Sequence, residues 1–264
     1  MVDFEYLRAT SLEEAARMFA EVEEARYLAG GQSLLPLLKL GLGMPSRLID
    51  LRPISDLATI RREGGTLILG AMVSHAAVAA SPTVAGSLPA LAGLAAGIGD
   101  PQVRNWGTIG GALAHGDPAT DYAAAVLGLG AAIRTDRRSI PADAVFRSRF
   151  KTALDAGEIV REVRFPLPRR AGYAKLRNPA SGYPMVGVFV AQTGDGVRVA
   201  VTGAAPSPFR LTEAEQALAC DFSPAPLSGL SVSPQGLNAD LHADPRCRAH
   251  LVAVMARRAV AAAR

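Results

Sequence analysis

Two glycine clusters constrain the fold and function of this chain more than any other feature of its sequence. The first, Gly-Gly-Gln-Ser at 30–33, follows a short apolar stretch; the second, Gly-Thr-Ile-Gly-Gly at 107–111, leads into an apolar segment. Glycine lets the backbone adopt positive φ and approach a ligand closely, and successive amides in such turns form an anion-binding nest. The clusters therefore indicate either a pyrophosphate site built from two nests or a pair of ordinary turns.

Neither cluster matches the phosphate-binding loops of other protein classes. The chain lacks the GxxxxGK[ST] pattern of a P-loop. Its nearest approach to GxGxxG, at Gly128 and Gly130, has Ile133 in place of the third glycine. The segment 31–35 lacks the last glycine of the GxSxG nucleophile elbow. The sequence thus disfavours a P-loop nucleotide site, a two-base Rossmann site and an α/β-hydrolase.

Hydrophobic periodicity divides the chain into three parts. Ser11 and Glu14 form a capping box ahead of a predicted helix. The predicted helices cover 12–22, 34–40, 88–96, 121–127, 212–218 and 246–263, and the predicted strands cover 26–29, 47–51, 66–69, 131–135, 159–165, 171–176, 185–193 and 197–202. The Pro- and Arg-rich segment 166–170 is the strongest boundary. We therefore predict an α+β protein with an N-terminal subdomain (1–54), a middle subdomain (55–166) and a C-terminal domain (167–264) that contains a three-stranded antiparallel sheet with helices.

Composition excludes several functional classes. Hydrophobic residues make up 49% of the chain and charged residues 20%, which is typical of a folded globular protein. A net charge of +4 with only 5% aromatic residues does not favour nucleic-acid binding. The two cysteines, Cys220 and Cys247, form no metal-binding cluster. The first five residues are acidic and lack a basic region followed by an apolar run, so we expect no targeting segment. Prolines at 82 and 89 interrupt the longest uncharged stretch, so we expect no membrane-spanning helix, and we expect a cytoplasmic location.

Two groups of polar residues could carry chemistry. His115, Asp117 and Asp121 could bind a divalent metal. The same segment fits an Asp-Pro turn that starts a helix, or a carboxylate that accepts hydrogen bonds from ligand hydroxyls. Lys175 and Tyr183 could neutralise and cover an aromatic ligand, or could be a solvated lysine and a core tyrosine. We assign no catalytic residue and no metal ligand.

At these motifs the sequence resembles the FAD-binding (medium) subunits of molybdenum hydroxylases, such as the carbon monoxide dehydrogenase medium chain and the xanthine dehydrogenase flavin domain. The resemblance covers nearly the whole chain and is carried by segments 4–6, 11–15, 29–36, 102–111, 114–121, 157–159, 182–187 and 203–206 and by Lys175. It implies the two-subdomain FAD-binding fold of the PCMH/vanillyl-alcohol-oxidase type, followed by the C-terminal α+β domain.

The resemblance also implies a residue set for non-covalent FAD. That set is Ala29, Gly30, Gly31, Gln32, Ser33, Thr108, Ile109, Gly110, Gly111, Asp121, Ile159, Lys175 and Tyr183. The two glycine segments would bind the pyrophosphate through amides and hydroxyls, and Asp121 would bind hydroxyls of the ribityl or ribose part. Ile159 would meet the flavin ring through its backbone, Lys175 would lie near the ring, and Tyr183 beside or over it. Ala112 and Trp106 depart from the family pattern, where Asn or Ser and Arg are common.

The same resemblance implies partners and an electron path. A large subunit would carry the molybdenum cofactor and a small subunit two [2Fe–2S] clusters, as a dimer of heterotrimers. This chain would take electrons from the clusters and pass them from reduced flavin to an external acceptor. Two alternatives stay open from the sequence: a free-standing FAD-dependent oxidoreductase with its own substrate, and an assembly subunit without cofactor.

Overall fold

The chain forms three larger β-sheets in succession, each covered by helices. The computed structural model describes residues 3–264. Its helices are α1 (Leu12–Ala20), α2 (Leu34–Lys39), α3 (His75–Ala80), α4 (Pro82–Ser87), α5 (Pro89–Ala96), α6 (Pro101–Trp106), α7 (Ile109–His115), α8 (Asp121–Leu129), α9 (Ala142–Val145), α10 (Thr212–Cys220) and α11 (Pro245–Ala261). Its strands are β1 (Glu5–Arg8), β2 (Ala25–Leu28), β3 (Arg47–Asp50), β4 (Ile60–Glu63), β5 (Thr66–Gly70), β6 (Ala132–Thr135), β7 (Ser139–Pro141), β8 (Phe146–Ser148), β9 (Lys151–Thr152), β10 (Val160–Pro166), β11 (Arg170–Arg177), β12 (Pro184–Thr193), β13 (Gly196–Thr202) and β14 (Phe209–Arg210).

The first sheet is parallel, with strand order β1-β3-β2. Helix α1 begins as predicted, because the Ser11 hydroxyl accepts from the Glu14 amide at 3.1 Å. The Glu14 carboxylate reaches back to the amide of Thr10, at 2.7 Å, rather than to that of Ser11. Strand β2 ends at Leu28, so the first glycine cluster emerges at the edge of this sheet where parallel strands end together.

The second sheet is antiparallel, with strand order β4-β5-β10-β6-β7. The predicted strands β5, β6 and β10 are confirmed, and the periodicity missed β4, whose sequence Ile-Arg-Arg-Glu is mostly polar. Helices α3 to α8 lie between β5 and β6 in the sequence. Helix α8 is buried along its whole length. This arrangement holds the second glycine cluster, at the start of α7, against the segment that follows β5.

The C-terminal sheet contains the three predicted antiparallel strands, in the order β11-β12-β13. A fourth, two-residue strand, β14, pairs with β13 and was too short to be predicted. Helices α10 and α11 pack their apolar sides on this sheet. At Gly172 a β-carbon would lie 2.0 Å from the Ala259 carbonyl oxygen, so α11 approaches β11 as closely as a glycine allows.

The predicted domain limits at 54 and 166 lie between sheets. The largest hydrophobic cluster nevertheless includes Phe165 and Phe189, which lie on either side of residue 166. The middle and C-terminal parts therefore share a core, and the division into separate domains stays a prediction. Among residues 3–264, every helix is too short or too polar to span a bilayer.

Candidate cofactor site

A cavity of about 560 Å³ separates the two glycine clusters from the C-terminal sheet's first hairpin. Its lining combines all three parts of the chain: residues 29–33 from the first, 107–108, 110–112, 121 and 157–160 from the second, and 181–183 from the third. The volume lies within the ~300–1,000 Å³ of small-molecule sites. Sequence-predicted residues from distant segments are thus brought to one cavity.

The first glycine cluster presents unpaired backbone donors. Within residues 3–264, none of the four amides at 30–33 donates to a protein acceptor. Gly31 adopts φ +73°, the left-handed region that favours glycine. The carbonyls of Gly31 and Ser33 accept from the amides of Leu35 and Leu37, and these are the first hydrogen bonds of α2. Unpaired amides in a turn of this kind can hold an anion.

In the second glycine cluster most backbone amides have acceptors within the protein. The Thr108 hydroxyl caps α7 by accepting from the Gly111 amide at 3.1 Å. The amides of Ile109 and Gly110 donate to the carbonyls of Val73 and Ala71 at 3.1 and 2.8 Å. A β-carbon on Gly110 would lie 2.4 Å from that of Ala71. These glycines therefore serve close packing, and among the amides of 108–111 only that of Thr108 lacks an acceptor in the described part of the chain.

Asp121 lies at the start of α8, is 3% exposed and lines the cavity. Its Oδ1 accepts from Lys175 Nζ at 2.7 Å and from the Tyr173 hydroxyl at 2.8 Å. Burial raises the pKa of Asp121, while Lys175 and Tyr173 act in the opposite direction. Both partners bind the same oxygen, which leaves Oδ2 as the carboxylate atom available to a ligand hydroxyl.

Lys175 does not line the cavity. Besides Asp121, its ammonium donates to the carbonyls of Gly97 at 2.9 Å and Gly182 at 3.0 Å, so its three hydrogens all have acceptors within the protein. It joins α5, α8 and the β11–β12 hairpin. Lys175 thus contacts the predicted site residue Asp121 from outside the cavity, which fits a positioning role. Ile109, which is fully buried, is also a predicted site residue outside the lining.

Tyr183 lies at the rim of the cavity and is 43% exposed. Partial burial raises the pKa of its phenol, the charges of Asp117 and Asp121 raise it further, and the Ser33 hydroxyl lowers it. Tyr183 therefore lies close to the first glycine cluster and to the loop that precedes α8. An exposed aromatic ring in this position can cover a flat ligand.

Ile159 also reaches the lining, although it is 2% exposed. Its amide donates to the Asp136 carboxylate at 2.8 Å, and its carbonyl accepts from the Asp136 amide at 2.9 Å. A backbone contact between Ile159 and a flavin would therefore use the second lone pair of this carbonyl. That contact stays a prediction.

Glu158 precedes Ile159 in the chain, and its carboxylate is buried. This carboxylate accepts from the Thr135 hydroxyl, the Arg138 guanidinium and the Asp155 amide. The hydrogen bonds from Arg138 are the main reason that the pKa of Glu158 is lowered to about 2. Glu158 therefore adds a fixed negative charge next to the cavity, and Arg138 compensates it.

Sequence reasoning missed three aromatic residues of the lining. Phe19 and Tyr27 stack with ring centroids 4.9 Å apart, and both line the cavity. His75 lines it as well and is 5% exposed. The periodicity assigned Phe19 to the core of a helix, and His75 lacked a partner motif. Their contribution depends on contacts between distant segments, which a local pattern does not record.

The His115–Asp121 segment forms a turn. The Asp117 carboxylate accepts from the Ala119 amide at 2.8 Å, and the His115 ring lies 5.2 Å from that of Phe150. Within residues 3–264, no three His, Cys, Asp or Glu side chains come together as a metal site would require. Of the two departures from the family pattern, Ala112 lines the cavity and Trp106 is 53% exposed with Arg52 above its ring.

Comparison with known proteins agrees with this geometry. Residues 2–168 match the family described as "FAD binding domain in molybdopterin dehydrogenase". The chain is 37% identical over 220 residues to the carbon monoxide dehydrogenase medium chain of Hydrogenophaga pseudoflava, covering 78% of this chain and 77% of that one. It is 34% identical to the nicotine 6-hydroxylase medium subunit of Paenarthrobacter nicotinovorans, covering 97% and 95%.

Its fold superimposes on a chain of the reconstituted CO dehydrogenase from Oligotropha carboxidovorans with a TM-score of 0.91, at 32% identity, covering 98% of this chain and 97% of that one. Sequence and fold therefore point to one group of proteins over nearly the full length of the chain.

Proposed function

The chain belongs to the family of FAD-binding domains of molybdopterin dehydrogenases, and from this premise we propose that it is the flavin-carrying electron-transfer subunit of a molybdenum hydroxylase. Members of this family are subunits of oxidoreductases. In the proposed role the chain takes electrons from [2Fe–2S] clusters of a partner subunit and passes them to an external acceptor.

The residues of the cavity fit FAD. The observation that carries the proposal is that residues 30–33, with the left-handed Gly31 among them, line the cavity while their amides have no acceptor in the described part of the chain. Such a turn binds a pyrophosphate without a neighbouring lysine or arginine. The Oδ2 atom of Asp121 supplies an acceptor for a ligand hydroxyl, and Tyr183 supplies a ring that can cover an aromatic system.

The chain's contribution is to bind FAD, to orient it and to enclose it. When bound, FAD supplies the chemistry that stores two electrons and releases them. The amides at 30–33 would hold the pyrophosphate of the cofactor. Lys175 keeps Asp121 and Gly182 in place around the cavity. Residues 107, 108, 110 and 111 form the facing wall. Gly110 lets this wall pack closely on Ala71, and Gly111 lets it approach Ala29.

The proposed partners are a large subunit with the molybdenum cofactor and a small subunit with two [2Fe–2S] clusters. The proposed assembly is a dimer of heterotrimers in the cytoplasm. Its support is that relatives spanning most of this chain are named medium chains or medium subunits, and a medium chain is one of several in its complex. The organic substrate would be selected by the large subunit.

Rapid-mixing reduction of the flavin tests this proposal. The full chain, loaded with FAD, is mixed with the pre-reduced iron–sulfur subunit, and flavin absorbance near 450 nm is followed. We expect flavin reduction that depends on the iron–sulfur subunit and is followed by reoxidation by an added acceptor. Flavin that the reduced partner leaves oxidised would contradict the electron path. Substrate oxidation by the chain without partners would support a free-standing oxidoreductase.

A further inference from the structure

His75 is a buried polar side chain that the proposed electron path does not use. It is 5% exposed, begins α3 and lines the cofactor cavity. Its backbone amide donates to the Gly107 carbonyl at 2.9 Å, which fixes it beside the second glycine cluster. Its Nδ1 atom is fully enclosed and has no hydrogen-bond partner among the described residues. A buried polar group of this kind requires a specific explanation.

The two ring nitrogens of His75 have different surroundings. Nδ1 is fully enclosed, whereas Nε2 lies next to Gly107, since a β-carbon there would be 2.6 Å from it. Burial, with a smaller effect from the charge of Arg104, lowers the pKa of His75 to about 4. The imidazole is therefore neutral near pH 7 and carries one proton. An N–H directed at no acceptor is rarely buried, which favours the proton on Nε2.

We propose that His75 is a binding residue for the cofactor, with Nε2–H donating a hydrogen bond to an acceptor oxygen of FAD beside Gly107 and Thr108. This inference rests on the proposed function, because it needs FAD in the cavity. A neutral donor contributes directional binding without adding positive charge. The bond would give Nε2–H a partner when FAD is bound, while Nδ1 stays the enclosed, unprotonated nitrogen.

Tyr122 provides a matched control. Its ring lies 5.3 Å from that of His75, and its hydroxyl is likewise buried without a partner in the described part of the chain. Tyr122 does not line the cavity. The two side chains thus share their burial and their unpaired polar atom, and differ in access to the ligand.

The test measures FAD affinity and apoprotein stability for His75→Phe and Tyr122→Phe. Removing an unpaired buried polar atom is neutral or stabilising for the apoprotein. We expect His75→Phe to leave the melting temperature unchanged or higher and to raise the Kd for FAD about 3- to 10-fold, the loss of one hydrogen bond. Tyr122→Phe should leave the Kd unchanged. An unchanged Kd in His75→Phe would overturn the proposal.

A parallel titration with ADP identifies the acceptor oxygen. An equal loss of ADP and FAD affinity in His75→Phe places it on the ADP half of the cofactor, and a loss for FAD alone places it on the flavin half. ¹⁵N NMR of histidine in the wild-type chain keeps the test valid if His75→Phe does not fold. FAD should shift the His75 Nε2 resonance, and an unmoved resonance would overturn the proposal. Wild-type protein that binds no FAD would instead contradict the proposed function.

Discussion

The carbonyl oxygen of Trp106 lies 2.0 Å from the position that a β-carbon would occupy on Gly30. The two glycine clusters, far apart in the sequence, therefore meet through backbone contact at this point. The close approach places the amides at 30–33, which have no acceptor within residues 3–264, opposite the wall formed by residues 107, 108, 110 and 111. A side chain at position 30 would force the two walls of the cavity apart.

Gly30→Ala should therefore damage the site through packing. Because the clash is with backbone, relief requires a chain shift, and overpacking of this kind costs about 1–3 kcal/mol. We expect a lower free energy of unfolding and an FAD Kd raised at least about 10-fold, as ~1.4 kcal/mol of lost binding would give. Gly65→Ala is the control, since a β-carbon there meets nothing within 4 Å. Equal FAD binding by both variants would contradict the account.

Gly31→Ala separates backbone strain from site geometry. Gly31 and Gly41 have similar angles, φ +73° and +70°, and only Gly31 lines the cavity. Alanine in this region costs about 1–2 kcal/mol at either position. Urea unfolding should show at least as much destabilisation of Gly31→Ala as of Gly41→Ala, because a β-carbon on Gly31 would also lie 2.8 Å from Leu35 Cδ1, while one on Gly41 meets nothing within 4 Å. FAD titration should show weaker binding in Gly31→Ala alone, and equally weakened binding in both would argue against a nest at 30–33.

Lys175→Met tests the positioning role of the lysine. The change leaves the buried Asp121 carboxylate without its cation, which typically costs about 3–5 kcal/mol. Burial already raises the pKa of Asp121, and loss of Lys175 would raise it further. A folded-state pKa above the unfolded value gives stability at low pH that is lost as pH rises through the folded pKa. The stability difference from wild type should therefore grow from pH 4 to pH 7.

Urea unfolding across this pH range measures the effect. Lys151→Met, at an exposed lysine, is the control. The double variant Asp121→Asn with Lys175→Met should recover part of the lost stability, because no buried charge is then left unpaired. A pH-independent deficit would show that Lys175 acts only through packing.

Glu158→Gln tests the charged pair beside the cavity. Hydrogen bonds from Arg138 are the main cause of a pKa of about 2 for Glu158, well below its ordinary 4.5. A lowered folded-state pKa stabilises the protein above the unfolded pKa, and this stabilisation is lost as pH falls from about 4.5 towards 2. Glu158→Gln should therefore cost about 3 kcal/mol near pH 7 and much less near pH 2. Exposed Glu23→Gln should show no such pattern, and a flat difference for Glu158→Gln would contradict the pairing.

The sequence predicts the regular elements where apolar periodicity is strong, as in α1, β10 and the β12–β13 hairpin. It misses β4 because arginines dominate that strand. It identifies both glycine clusters, yet it does not distinguish the unpaired amides at 30–33 from the paired amides of Ile109 and Gly110. That distinction depends on the carbonyls of Val73 and Ala71, which the fold brings in from outside the motif.

The same limit applies to the charged residues. Lys175 and Tyr183 lie on one hairpin and look equivalent as candidate ligand contacts. Only the fold shows that the Lys175 ammonium donates all its hydrogen bonds to Gly97, Asp121 and Gly182. Tyr183, in contrast, stays at the rim of the cavity, where it is partly exposed.

Amide NMR of the full chain during titration with FAD tests the central claim most directly. We expect saturable binding of one FAD per chain, with the largest shifts at the amides of residues 30–33, which gain acceptors. The amides of Ile109 and Gly110 should shift less, because Val73 and Ala71 already accept from them. Absence of binding, or binding that leaves residues 30–33 unshifted, would contradict the assignment of this chain's first glycine cluster as the cofactor nest.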